Sequence, residues 1–486
     1  MHALLIQAAL LWARGGGAGG GHGGGGGSHS SGGGFGGGGF GGGGVFIPTG
    51  GGSGGGGDFS FWVVVLFIIT IILIRYFSKR MNAGGGGGDP DDGASDIDLL
   101  DRMRPVNVPL AQDQVSQLSQ KVQIAFLTVQ KCWSEKTLAP MRRFITDGVY
   151  QRFNAQFTMM NILGQTNTMS DVEVRNLKVV AYSVDGDYEN VDIAIKAFAD
   201  DQFVCEKYPT LNSPGGAEEF GEVWSFIRRR DYLRAGDIFH ALACPKCGAN
   251  LTNKLVETAR CPYCDVYLNS GEFDWVLSEI TQVADYGSNS ALLSLQEPSL
   301  PRDIEVLRNV FPAFSTHVLE DRASNAFMQI LIALATRKID VLKRFMTPAG
   351  FEKAKSLMSP EHVAYNRLYI ADTCLLSIES EGNNIRAHVG VEYFSQFVVL
   401  GQGSARAIDH EAVGSIRVVT FVHEMTGQIA KGNIFANACS KCGASQTDSL
   451  SMVCAYCGAS LNDPKLDWVA ENILEAGEFR DLMARQ

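Results

Sequence analysis

CPKCGANLTNKLVETARCPYC at residues 244–264 and CSKCGASQTDSLSMVCAYC at residues 439–457 decide how the rest of the chain is read. Each stretch holds two Cys-x2-Cys pairs: Cys244, Cys247, Cys261 and Cys264 in the first, Cys439, Cys442, Cys454 and Cys457 in the second. Two residues between paired cysteines let the chain turn so that both sulfurs face one ion, and Gly248, Gly443 and Gly458 supply backbone freedom after the turn. Four thiolates fill a tetrahedral shell. The expectation is therefore two structural zinc ions, one per ribbon, with no open position for a catalytic water. A redox Cys-x-x-Cys would need a reactive thiolate at a helix start in a βαβ setting, and neither stretch has one. Iron on four cysteines is the rival that ligand type does not separate from zinc.

Outward from the ribbons, the chain repeats itself at an offset of roughly 195 to 200 residues. An amphipathic helix around Phe126 or Phe327 leads to MRRFIT at 141–146 or LKRFMT at 342–347, with Tyr150 or Phe351 downstream. NVDIAIKAFADDQFV from Asn190 is set against NIRAHVGVEYFSQFV from Asn384, both alternating like half-buried strands. VWSFIRRR from Val223 matches VVTFVHEM from Val418, and FDWVLSEI matches LDWVAENI, so that Trp275 and Trp468 correspond. Helices followed by an antiparallel sheet make an α+β fold in each half. The expected domains are 111–285 and 311–486, joined by a linker at 286–310. Ribbons at 242–268 and 437–461 stand in the loop of each last hairpin, where a metal knot closes a long insertion.

The chain has 486 residues, 45% hydrophobic and 19% charged, with a formal net charge of -11, which argues against nucleic acid as the main partner. Eight of its 11 cysteines stand in the ribbon pairs; Cys132, Cys205 and Cys374 share no spacing and are read as small buried hydrophobes. Residues 1–14 are read as a signal peptide on their apolar run Ala3–Ala13, and residues 15–57 as a disordered Gly-rich tether. Residues 59–77, FSFWVVVLFIITIILIRYF, are long enough at about 1.5 Å per residue to span the hydrocarbon core as one transmembrane helix. Arg75, Lys79 and Arg80 on its far side, against Asp58 before it, place the N-terminus outside and the domains in the cytoplasm. That compartment keeps thiols reduced, as metal ligation requires. Residues 78–110 are expected as a flexible acidic linker.

EVWSFIRR at Glu222–Arg229 and DWVL at Asp274–Leu277, after a glycine tract and a single span, resemble the Tim-forty-four-like domain family. The resemblance covers roughly Gln112–Val283 and Phe311–Glu478, where Val419 stands in place of Trp224. It implies two nuclear-transport-factor-2-like cones, each of helices packed on a curved antiparallel sheet. It also implies a bacterial inner (cytoplasmic) membrane protein, single-pass, that binds proteins or lipid headgroups in protein translocation or membrane-complex assembly. The inserted ribbons and the tandem duplication depart from the family's simplest form.

Three function classes follow. A membrane-anchored, zinc-containing scaffold fits a span, two tethers, a duplicated domain and no catalytic motif, so no enzymatic activity is expected. A small-molecule-binding or enzymatic cone pocket would draw on Asp192, His388 and His423. In the alignment above, Asp192 falls opposite Arg386 and His388 opposite Ala194, so no acid–base pair recurs. Nucleic-acid binding by the ribbons would draw on Lys246, Lys254 and Arg260, with Tyr263 and Tyr456 expected to pack the knuckles rather than stack on bases. The run Arg228–Arg230 is read as a solvated strand end.

Overall fold

Each half begins with helices closed by matched caps. In the first half they are α1 (Asp96–Arg102), α2 (Gln112–Glu135) and α3 (Asp147–Leu163), followed by β1 (Gln165–Asp185), β2 (Tyr188–Cys205), β3 (Gly216–Arg229) and β4 (Val276–Gln282). In the second they are α4 (Leu300–Val310), α5 (Thr316–Thr336) and α6 (Pro348–Ser356), then β5 (His362–Glu381), β6 (Asn384–Leu400), β7 (Ala405–Ala407), β8 (Val413–Glu424), β9 (Val469–Glu475) and α7 (Ala476–Met483). Helices α2 and α5 both stop on a left-handed residue, Lys136 and Arg337. Thr146 and Thr347 then cap α3 and α6, accepting the amides of Val149 and Gly350 on their hydroxyls. These elements belong to a computed structural model, which describes residues 95–485 except 213, 214, 234, 235, 253, 256, 257, 288–290, 313, 426–429, 431–436 and 447. The readings placed on residues 1–94, the transmembrane helix included, lie outside the described residues. Among those described, no helix is long and apolar enough to cross a membrane.

The strands form two antiparallel sheets in the orders β1-β2-β3-β4 and β5-β6-β8-β9, with β7 paired on β6. Matching tertiary bonds tie each last strand to the segment before the capping threonine. Thr146 N donates to Leu277 O at 2.9 Å and Leu277 N to Phe144 O at 2.8 Å; Thr347 and Ala470 with Phe345 do the same at 2.9 and 3.0 Å. The α+β reading and the duplication are therefore both present in the fold.

Two expectations are corrected. The sequence alignment set Asn190 opposite Asn384, but the hairpin turns say otherwise. Asp185 pairs with Tyr188 around Gly186, and Glu381 pairs with Asn384 around Gly382, so Tyr188 is the counterpart of Asn384 and Asp192 that of His388. Partner strands agree: Asp192 faces Ser225 and His388 faces Thr420. A two-residue slip keeps every side chain on its own face of the sheet, so alternation alone is blind to it. The second correction concerns the linkers. Residues 286–310 carry α4, and Leu292, Leu295, Leu300 and Leu307 are buried; Pro301 stands in the first turn, where it breaks no helical bond. The end of the 78–110 segment forms α1, whose Leu100 packs on Ala194, Val223 and Val283.

The halves share a core instead of standing apart. Ala155, Met159 and Leu163 of α3, with Cys205, Tyr208 and Leu211, join the hydrophobic cluster that α5 and the second sheet build. Asp321 of α5 sits on the N-terminus of α3, taking the Gly148 amide at 3.0 Å and the Thr146 hydroxyl at 2.5 Å. Arg152 of α3 bridges to Glu279 of β4 at 2.5 Å and to Ser324 of α5 at 2.5 Å.

Burial pushes four carboxyls in this region up: Glu320 well above its usual range, Asp321 to about 6, Asp285 to about 7 and Glu279 to about 8, the last against the pull of Arg152. The native state holds protons there that the unfolded chain has already released. Their contribution is full below the ordinary carboxylate range and is lost as pH rises through the raised values. His423, depressed by burial, slopes the other way but only below its ordinary 6.5. Ligation works against this slope, because the unfolded chain holds protons on cysteines that a metal-bound ribbon has released. The expected result is therefore comparative: between about pH 6.5 and 8.5 the thermal midpoint of the parent falls relative to that of Asp285→Asn, which keeps the same ribbons. A calorimetric series in which the parent holds or gains ground on that variant across the window would contradict the buried-acid reading.

Candidate metal centres

Each Cys-x2-Cys pair closes a knuckle by the same backbone bonds. The first cysteine's carbonyl accepts the amide four residues on: Gly248 N at 2.9 Å from Cys244 O, Asp265 N at 3.0 Å from Cys261 O, Gly443 N at 2.7 Å from Cys439 O and Gly458 N at 3.0 Å from Cys454 O. That amide's residue lies in the left-handed region every time, at φ 73°, 65°, 76° and 69°. Asp265 is the one non-glycine among them, at a cost of about 1 kcal/mol or more in backbone strain. The same first cysteine donates its own amide one residue further, to Ala249, Val266, Ala444 and Ala459.

Within each ribbon the four sulfurs converge, all within 4.8 Å of one another. The contacts are 3.6 Å for Cys244–Cys264 and 3.8 Å for Cys247–Cys261, then 3.8 Å for Cys439–Cys457 and 3.7 Å for Cys442–Cys454. A tetrahedral ion with metal–sulfur bonds of about 2.3 Å requires edges of about 3.8 Å, whereas a disulfide needs about 2.05 Å. All eight thiols are free. Each tetrad could therefore hold a metal ion with all four positions filled by sulfur. The Ala249 amide is the largest influence on Cys247 and lowers its pKa; burial pushes Cys454 up, yet the Cys457 and Tyr456 amides and neighbouring sulfurs bring it to about 6. Amides aimed at sulfur favour the thiolate, whereas burial pushes Cys244, Cys264, Cys439 and Cys442 up, so a cation is what would hold all four sulfurs of a tetrad ionised together.

The two ribbons are seated differently. The first has its own small core of Cys244, Leu251, Leu255, Cys261 and Leu268. In the second, Cys439, Cys454 and Leu461 belong to the main hydrophobic cluster of the molecule. The ribbons also touch: Tyr267 donates its hydroxyl to Gly443 O at 2.9 Å, and Thr258 lies 3.4 Å from Ser445, oxygen to oxygen.

Residues that sequence reasoning passed over hold each ribbon to its sheet. Asn269 donates to Ile145 O at 3.0 Å and Asn462 to Met346 O at 3.1 Å, the same bond in both copies. Asp274 pairs with Lys121 of α2 at 2.7 Å, and its counterpart Asp467 pairs with Arg322 of α5 and accepts the Ser440 hydroxyl at 2.9 Å. The signal was visible as Leu-Asn ahead of Asp-Trp in both halves, but only the fold shows what the side chains reach.

Tyr263 and Tyr456, expected to pack the knuckles, are 61% and 76% exposed, because the third position of each knuckle points away from the sulfurs. Lys246 and Lys254 are exposed, while Arg260 is held to Asp265 at 3.2 Å. Arg228 is no solvated strand end; it is buried on Glu189 at 2.5 Å between the rings of Tyr232 and Trp275, leaving Arg229 to pair with Asp231. The candidate acid and base residues stay apart. Asp192 takes Asn190 at 3.0 Å and the Tyr286 hydroxyl at 2.8 Å. His388 lies between Thr420 and Glu379 at 3.0 Å each, and His423 is 2.7 Å from Pro464 O with its ring 5.3 Å from that of Trp468 and tilted to it. All three sit in structural bonds. No protein-family model, curated protein or solved structure matches this chain.

Proposed function

We propose that this chain is a membrane-anchored scaffold whose two zinc ions shape ribbons for binding other proteins. The observation that carries the reading is the pair of four-sulfur centres, each built from the same knuckle and tied by the same asparagine to the residue before the capping threonine. Zinc is favoured because four reduced thiolates in tetrahedral spacing suit it and leave no site for hydrolysis. The exposed Tyr263 and Tyr456 recur at one position in both copies, where packing does not require them, and support a partner that contacts both ribbons. The run at 59–77 supplies the anchor, with the domains on the cytoplasmic side. A Tim-forty-four-like role in translocation or membrane-complex assembly, through protein partners or lipid headgroups, is the family-level form of this proposal.

Crosslinking of the full chain in native membranes, followed by affinity purification and mass spectrometry, tests it. The expected result is a reproducible protein partner crosslinked at the ribbons, lost in the double variant Tyr263→Ala, Tyr456→Ala. Recovery of crosslinks that avoid both ribbons would reject it.

A further inference from the structure

The helices of the two halves cover equivalent faces of their sheets, but different side chains fill the space between. In the first half Trp224 lies 5.3 Å from Phe126 and Phe220 lies 6.2 Å from it, ring to ring, while Trp133 packs on Phe153 and Phe157 at 6.0 and 5.5 Å. The strand registers and helix caps make Val419, Ser415, Leu334, Ala354 and Met358 the counterparts of Trp224, Phe220, Trp133, Phe153 and Phe157. Five large rings are thus replaced by smaller groups, while Tyr365, Tyr393 and Phe397 stand where the first half has Met169, Ala197 and Asp201, so the rings move from the middle of the space to its rim.

A cavity of 280 Å³ lies between α5 and the second sheet, with Ser415 and Leu334 of the five positions that lose a ring in its lining. Its walls include Phe327, Leu331, Tyr365 and Phe397, and at its polar side stand Ser395, Ser415, Asp409 and Arg417. Part of the Arg417 charge is spent on Glu475, 2.5 Å away, and Asp409 brings the opposite sign to the same wall. An apolar wall with both signs beside it favours an uncharged head over either ion.

We propose that the second half binds a small neutral amphiphile in this cavity: an acyl or aryl body of roughly ten heavy atoms with a hydroxyl or amide head, given about 30 Å³ for each water-sized group. The first half, plugged by its rings, does not. This site stands apart from the scaffold reading, since none of its walls belongs to a ribbon.

The test is photolabelling of the full chain with a diazirine-bearing octanol, with peptide mapping and with zinc content and circular dichroism as controls on the fold. Label is expected on α5 and β6 and not on α2 and β2. It should fall at least tenfold in Ser415→Phe, which installs a lining residue of the first half, and equally in Leu334→Trp should the first variant fail to fold. Excess unlabelled octanol should compete and decanoate should not. Label spread over both halves, label unchanged in a folded plugged variant, or competition by decanoate equal to that of octanol would each overturn the proposal. Partner recovery at the ribbons is a separate readout, so failure of either proposal is distinguishable from failure of the other.

Discussion

Cys454→Ser is expected to remove one zinc ion and to loosen the second half of the molecule, whereas Cys261→Ser removes one ion and leaves both sheets standing. The asymmetry comes from packing. Cys454 and Leu461 lie in the main hydrophobic cluster with Phe345, Met346 and Trp468, while Cys261 lies in a five-residue cluster of its own. A ribbon that small cannot bury enough apolar surface to hold its shape, so its order depends on the metal. Structural zinc in such sites is worth on the order of 10–16 kcal/mol of apparent binding free energy at neutral pH, far above the stability of an isolated loop. Elemental analysis should read two ions per chain in the parent and one in either variant, matching the two tetrads. Hydrogen exchange should quicken in α6 and β9 of the Cys454 variant, and only within the ribbon of the Cys261 variant. Equal exchange in the two variants would show that the seating of the ribbons carries no energetic difference.

The second large effect is expected from Asp467→Ala. This carboxylate, 3% exposed, is paired with Arg322, accepts Ser440 at 2.9 Å and takes the Trp468 amide at 2.9 Å, so it joins α5, the second ribbon and β9 at one point. Its loss leaves a largely covered guanidinium, 14% exposed at the side chain, without its carboxylate, which costs up to about 3 kcal/mol. Asp274→Ala should cost less: Lys121 and Arg322 are about equally exposed, at 18% and 14%, but Asp274 holds no ribbon hydroxyl as Asp467 holds Ser440, and an ammonium on a flexible stem can turn toward water. Denaturant unfolding of both variants, followed by tryptophan fluorescence, measures the difference. Equal losses, or a larger loss for the Asp274 variant, would place the weight of the ribbon attachment elsewhere.

Much of the architecture was legible before any coordinate. Knuckles are local: two residues between cysteines and a glycine after them determine where sulfurs point whatever surrounds the loop, so both tetrads could be named from spacing alone. The order of helices and strands was legible for a like reason, since a 3.6-residue or two-residue period records which face meets the core. The helix Leu300–Val310 lay within the stretch read as a linker, although Pro301 occupies a first-turn position where a helix tolerates it.

Other features belong to the fold alone. The equivalence of Asp192 with His388 depends on where each hairpin turns, and a pattern of period two returns the same answer after a slip of two. That Asp321 caps a helix of the other half, that Arg152 reaches Ser324, and that one ribbon shares the main core while its twin does not are contacts between residues far apart in the chain. Local periodicity carries no record of such pairs, because it is set by neighbours a few positions away, whereas these bonds form only once separate elements have packed. The spacing of the cysteines thus decided the two centres, and the packing of the two halves decided what each centre supports.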